Sequence, residues 1–309
     1  MKIGMLFSGQ GAQYPGMMKE LYREEPAARE LFDQADAFSG REISRLCFEG
    51  TQEELNLTHN TQPCMLAGDL AAAMVLKAHG IQADAAAGFS LGEYAAVTYV
   101  GAVSVEDVFR VIQIRADAMQ EAVAPGKGGM AAIVGATAAE VEEICSKVTG
   151  GFVAAANYNS PVQTAVSGSA KGVDEACELA KAAGLRCVRL AVSGPFHCAL
   201  MEPASRRLEE VLRGIPFHDP AIPVYMNLDG RPVTEGSMIP GLLVRQTMSP
   251  VYWVQTLENM FADGIDTFIE CGAGKTLSGL VKKTLTGVKI LRVENLDTLN
   301  ETLEALGKL

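Results

Sequence analysis

The chain has 309 residues, 48% of them apolar and 20% charged, with a formal net charge of −11. That suits one large globular domain, or a large one with a smaller companion, able to bury a full core. The charge argues against bulk nucleic-acid binding, and no apolar run approaches the roughly 18 residues a membrane helix needs, so neither nucleic acid nor a membrane is an expected partner.

The N-terminal "MKIGMLFSGQGAQ" carries one Lys and too short an apolar run for a signal peptide. It reads as a strand, Lys2 to Ser8, breaking into Gly9-Gln10-Gly11. The polar "NLTHNTQP" that contains His59 reads as a loop, and Leu66 to His79 as a helix ended by Gly80. Residues 83–89 form a short apolar run into "GFSLGEY", and Val105 to Val123 a long amphipathic helix. Between residues 127 and 192 the pattern is β-α-β-β-α-β, the order of a ferredoxin-like unit. It is bounded by Pro125-Gly126-Lys127-Gly128-Gly129 and by Ser193-Gly194-Pro195, and reads as a small domain (127–192) inserted into a larger one (1–126 and 193–309). Thr267 to Glu270 and Val288 to Val293 are further strands. Strands alternating with helices predict an α/β fold with a mostly parallel sheet.

Seven cysteines, an odd number with no CxxC pair, predict reduced thiols in a cytoplasmic protein rather than a disulfide framework. Four histidines without a Cys/His cluster make a metal site unexpected. Two Gly-rich loops mimic nucleotide sites and fail. "SGQGAQYPG" has Tyr14 where a dinucleotide fingerprint needs its third glycine, and "IECGAGKT" has Ile269 where a phosphate loop needs its first. No cofactor is expected.

Ser90 has glycines two before and two after, a strand ahead and a helix behind, the pattern of a nucleophile elbow. The bland alternative is a serine in a Gly-rich turn. A nucleophilic serine needs a positioned base, and His59, His79, His197 and His218 are all available. His197 enters a run, "CALMEPASRRLEEVL", that reads as the start of a helix. No Asp or Glu stands where an ordinary α/β-hydrolase triad would place its acid. On the Val105–Val123 helix, Val108, Val111, Ile112, Arg115, Met119 and Ala122 share one face, so Arg115 interrupts an apolar stripe. A buried guanidinium needs an anion: either an internal salt bridge or a substrate carboxylate held bidentately.

These stretches together resemble a known family. "SGQGAQYPGM", "NTQPCML", "GFSLGEYAA", "RADAMQEA", "NYNSP", "FHCALM", "VRQTMSPVYW" and "CGAGKTLSGLVKK" occur in the order found in malonyl-CoA:acyl-carrier-protein transacylases of type II fatty acid synthesis. The resemblance runs along essentially the whole chain. It implies a hydrolase-like α/β core with a ferredoxin-like subdomain, and ping-pong transfer of malonyl from malonyl-CoA to the phosphopantetheine thiol of an acyl carrier protein. It implies Ser90 as the acylated residue, His197 as its base, the backbone carbonyl of Gln246 as orienter of His197, and Arg115 as holder of the malonyl carboxylate. The N–H groups of Gln10 and Leu91 would form the oxyanion hole, Gln62 and Asn159 would line the pocket, and Phe196 would crowd an α-methyl branch. Phe89 departs from the family pattern, standing where many members have His, which touches pocket polarity rather than the base. Lys275, Lys282 and Lys283 are a guessed docking patch for the acidic carrier, the alternative being solvated surface lysines. Three rivals remain: a related acyltransferase of a polyketide pathway, an esterase that deacylates to water without need of Arg115, and a non-catalytic carrier-binding module.

Overall fold

The strands β1 (Ile3–Phe7) and β2 (Ala85–Gly88) are buried along their whole length, as apolar runs in the middle of a parallel sheet must be. In this computed structural model, which describes residues 1–192 and 194–308, eight further strands follow. They are β3 (Gly128–Val134), β4 (Val153–Ser160), β5 (Gln163–Ser169), β6 (Arg186–Arg189), β7 (Val224–Tyr225), β8 (Pro232–Val233), β9 (Thr267–Cys271) and β10 (Lys289–Val293). They form a six-stranded sheet in the order β10-β9-β1-β2-β7-β8 and a four-stranded sheet in the order β4-β5-β3-β6. The larger sheet is parallel except where β8 turns back on β7. The smaller one is antiparallel throughout. Its middle strands arise from "GGMAAIV" and "QTAVSGS", and helices Ala138–Ser146 and Ala170–Ala182 cover one face, burying Val141, Ile144, Val173 and Ala176.

The smaller sheet is tied to the rest of the chain close to the site through Val251, which lies outside the strands of the large sheet. Tyr158 N–H donates to the Val251 carbonyl (2.9 Å) and Val251 N–H to the Ala156 carbonyl (2.8 Å). In the large sheet the carboxyl ends of β1, β2 and β9 lead into Gly9-Gln10-Gly11, the Ser90 turn and Gly272-Ala273-Gly274 respectively. Ligands of open α/β sheets bind outside this edge. Among the described residues no helix is long and apolar enough to cross a membrane.

Two sequence expectations need correction. "THNTQP" is not loop: one helix runs Thr58–Ala78, with Pro63 inside it. A proline there has no N–H for the carbonyl four residues back, that of His59. Side chains fill the gap, Arg41 Nη1 donating to the His59 carbonyl at 2.6 Å and Gln113 Nε2 at 3.4 Å. The thiols are not all free either. Cys177, on the Ala170–Ala182 helix, is disulfide-bonded to Cys187 on β6, with Cα atoms 5.4 Å apart; the other five are free. Ten residues separate the pair in sequence, and only packing of helix on edge strand brings them together. Ser193, the first residue expected beyond the inserted segment, lies outside the described residues.

Candidate active site

β2 ends in Gly88, and Ser90 follows with φ of 56°, a left-handed conformation costing roughly 1–3 kcal/mol for a residue with a Cβ. The flanking glycines make the turn possible. A Cβ on Gly88 would sit 1.9 Å from the Gly92 carbonyl carbon, and one on Gly92 would sit 2.2 Å from the Phe7 carbonyl oxygen. Helix Gly92–Tyr99 is therefore pressed against β1 and β2 closer than any side chain allows. Ser90 is held at both ends of its own backbone: its N–H donates to Asn227 Oδ1 (2.7 Å) and its carbonyl accepts from Gln246 Nε2 (2.7 Å).

The Ser90 hydroxyl lies 2.6 Å from His197 Nε2. His197 is buried and also left-handed, with φ of 60°. Its Nδ1 is 3.0 Å from the backbone carbonyl of Gln246. A carbonyl only accepts, so Nδ1 carries the proton and Nε2 is free to take one from Ser90. Burial first, and the Arg115 charge second, lower His197 to about 4, so the imidazole is neutral near pH 7. The run after it forms a short 3-10 turn (Ala199–Met201) and then helix Glu202–Leu212. The other histidines are elsewhere: His59 beside Gln120 Oε1 (3.1 Å), His79 beside Glu25 (3.2 Å), and His218 exposed on its turn.

Arg115 projects from helix Val105–Glu121 and is 1% exposed. Among the described residues it forms no ion pair, and its charge is met by neutral groups alone. Its Nη1 donates to Gln62 Oε1 (2.7 Å), and its Nη2 to Gln246 Oε1 (3.0 Å) and to Ser90 Oγ (3.3 Å). The Tyr94 ring lies 5.2 Å beneath the guanidinium carbon, and Nε has no partner. These oxygens are amides and a hydroxyl, all replaceable by a carboxylate.

Ser90, His197 and Arg115 face a cavity of about 270 Å³. Gln10, Leu91, Gln62, Asn159 and Phe196 line it too. Among the described residues the N–H groups of Gln10 and Leu91 donate to no protein acceptor. Asn159 Oδ1 is buried without a partner. Phe89 lines the wall, its ring edge-on to Trp253 at 5.3 Å. Gln246 sits behind the cavity with its carbonyl on His197 and its side chain on Arg115. Lys275 at the start of helix Thr276–Thr284 and Lys282 and Lys283 in its last turn are exposed, while Leu277 and Leu280 of the same helix line the cavity.

Two residues at the site were missed in the sequence. Glu93 is fully buried; one carboxylate oxygen accepts from the Asn227 N–H and the other from Gln246 Nε2 (2.7 Å). Burial pushes it up to about 8, against the pull of those N–H groups and of Arg115. It is the only charged residue between Asp84 and Glu106, a signal that was legible. Asn227, just past the two-residue strand β7, gave none.

A family model for the acyl transferase domain matches residues 5–300. The chain is 44% identical over 308 residues to the malonyl CoA-acyl carrier protein transacylase of Bacillus subtilis, covering 99% of this chain and 97% of that protein. It is 39% identical over 285 residues to the transacylase of Escherichia coli K12, covering 91% and 92%. Among solved structures, the malonyl CoA-acyl carrier protein transacylase of Clostridium perfringens superposes with a TM-score of 0.96 at 39% identity, covering 100% of this chain and 98% of that one. A malonyl-transacylase in complex with its type II PKS acyl-carrier protein superposes at 0.95 with 36% identity, covering 99% and 100%.

Proposed function

The chain belongs to the acyl transferase domain family, among its malonyl CoA-acyl carrier protein transacylases, and we propose that Ser90, His197 and Arg115 carry that reaction here. The enzyme moves a malonyl group from coenzyme A to the thiol of an acyl carrier protein. The observation that carries the assignment is the 2.6 Å contact between Ser90 Oγ and a neutral His197, beside a buried, anion-free guanidinium.

In the first half-reaction His197 Nε2 takes the Ser90 proton as Oγ bonds to the thioester carbonyl carbon. The charge that develops on the carbonyl oxygen is met by the N–H groups of Gln10 and Leu91. The C–S bond breaks, and the coenzyme A thiolate leaves with the proton from Nε2. In the second, the carrier's phosphopantetheine thiol gives its proton to Nε2 and attacks the ester. Ser90 leaves as the alkoxide and recovers that proton. Gln246 keeps the imidazole tautomer correct through its carbonyl, a role filled by a carboxylate in Ser-His-Asp triads.

Arg115 grips the malonyl carboxylate. Exchanging amide contacts for a bidentate ion pair in a dry site favours malonyl over acetyl by about 2–5 kcal/mol. Gln62 and Asn159 receive the acyl and pantetheine polar groups, and the Phe196 ring leaves little room for an α-methyl branch. Lys275, Lys282 and Lys283 form the proposed face for the acidic carrier. The same reading takes residues 127–192 as a ferredoxin-like insertion in a unit of 1–126 and 193–309; all four strands of the antiparallel sheet fall within that insertion. The setting we propose is the cytoplasm, supported by the five free thiols, with the Cys177–Cys187 disulfide as the one feature that runs against it.

The test is to form the malonyl-enzyme, remove free malonyl-CoA, and add a holo carrier of fatty acid synthesis or of a type II polyketide synthase. Transfer to a carrier faster than release of malonate supports the reading. Release of malonate at the same rate with and without carrier would make the protein an esterase.

A further inference from the structure

We propose that Glu93 is a positioning residue for the oxyanion-binding peptide, acting through Asn227 and Gln246; the inference rests on the reading of Ser90 as nucleophile. Peptide geometry comes first. No peptide bond is cis among the described residues. In a trans peptide the C=O and the following N–H point in opposite directions. The Ser90 carbonyl and the Leu91 N–H belong to one such unit. Gln246 Nε2 holds the carbonyl from behind at 2.7 Å, which fixes the direction of the Leu91 N–H on the cavity side. The preceding unit is held the same way, its Ser90 N–H on Asn227 Oδ1 at 2.7 Å. A serine at φ of 56° persists only when its surroundings over-determine it, and these are the two clamps that do so.

Both clamps end on Glu93. One carboxylate oxygen accepts from the Asn227 N–H, the other from Gln246 Nε2. The two hydrogens of Gln246 Nε2 are thereby shared between the Ser90 carbonyl and Glu93, while its Oε1 accepts from Arg115. The amide cannot flip without losing all three contacts. Asn227 is likewise used up, its Nδ2 donating to the Gly88 carbonyl at 2.7 Å. An acid held 0% exposed without an ion pair is costly, and nothing in the packing of an otherwise apolar helix requires it. Two acceptor oxygens facing two N–H donors are what the clamps do require.

Glu93→Gln keeps the size and turns one acceptor into a donor facing an N–H, so one clamp opens. Wild type, Glu93→Gln and Arg115→Ala are to be compared in single-turnover acylation by malonyl-CoA and acetyl-CoA at about pH 9, above the value of about 8 to which burial raises Glu93, so that wild type carries the carboxylate with its two acceptor oxygens. Glu93→Gln is expected to slow both by the same factor, about tenfold to a hundredfold, with KM for malonyl-CoA within about twofold of wild type, whereas Arg115→Ala slows malonyl alone. The carbonyl stretch of a 13C-labelled malonyl-enzyme is expected to move to higher wavenumber in Glu93→Gln, because the ester is less polarised. Unchanged acylation, an unshifted band, or a loss confined to malonyl-CoA would overturn the proposal; the last would place Glu93 in the Arg115 clamp instead. If Glu93→Gln does not fold, Gln246→Met keeps the backbone carbonyl for His197 and removes the Nε2 donor. Its acetyl-CoA rate and ester band are then expected to change as described for Glu93→Gln, and an unchanged rate or band overturns the proposal. A wild type that forms no acyl-enzyme overturns the serine reading itself, and this proposal with it.

Discussion

Burial and the Arg115 charge hold His197 at about 4, well under its ordinary 6.5, and this fixes the sign of two pH effects. Between about 4 and 6.5 the unfolded chain binds the proton that the folded one refuses. Folding therefore weakens as pH falls through that window and is free of this cost above it, the whole contribution being about 3 kcal/mol. Denaturant titrations at pH 7 and pH 4.5 are expected to show a smaller loss for His197→Gln than for wild type; equal losses would mean that His197 is not held neutral. Acylation by the free enzyme, in turn, is expected to keep its base active down to about pH 4 to 5. Ser90 and Arg115 stand out in the sequence because each breaks a local rule: a residue pinned between glycines, a cation in an apolar stripe. His197 does not, since spacing left four histidines open and only the family resemblance singled it out. Glu93 breaks one too, as a lone acid in a small-residue helix. Asn227 breaks none, since an Asn past a short strand is ordinary turn chemistry, and only the fold brings it to the Ser90 N–H.

Gly88 and Gly279 separate two kinds of glycine at the level of the elements. Gly88 has no space for a Cβ, so Gly88→Ala is expected to destabilise by about 3 kcal/mol or more, because the neighbour is rigid backbone. Gly279 lies inside helix Thr276–Thr284 with nothing within 4 Å of its added Cβ. There Gly279→Ala is expected to stabilise by about 0.5–1 kcal/mol. Thermal midpoints of the two variants moving in the same direction would contradict this picture of the elbow. The helix around Pro63 carries another expectation. Arg41→Ala leaves the His59 carbonyl with the weaker Gln113 contact alone, at a cost of about 1–3 kcal/mol. That helix was misread at its start because Thr, His, Asn and Pro are poor helix formers. Long-range side chains, rather than local propensity, complete its first turns.

For the molecule as a whole, the alternation of strands and helices foretold a mostly parallel sheet, and the sheet order places the carboxyl ends of β1, β2 and β9 side by side at one edge. Periodicity could not foretell the bridge from Val251 to Ala156 and Tyr158, which brings the smaller sheet to the cavity; such contacts link residues nearly a hundred apart. Nor could it foretell the Cys177–Cys187 bond. Thiol titration in denaturant without reductant is expected to count Cys47, Cys64, Cys145, Cys198 and Cys271 and no others. A count that includes Cys177 and Cys187 would return the chain to the fully reduced state read from its sequence.

In the proposed mechanism Ser90 is acylated and Arg115 chooses the acyl group. Both statements can be read from the intact mass of the protein after mixing with malonyl-CoA or acetyl-CoA, without carrier, for wild type, Ser90→Ala and Arg115→Ala. The mechanism requires a malonyl adduct on wild type that maps to Ser90, none on Ser90→Ala, and a preference for malonyl that disappears in Arg115→Ala. A malonyl adduct that survives in Ser90→Ala, or a wild type that turns over malonyl-CoA without ever carrying one, would contradict it.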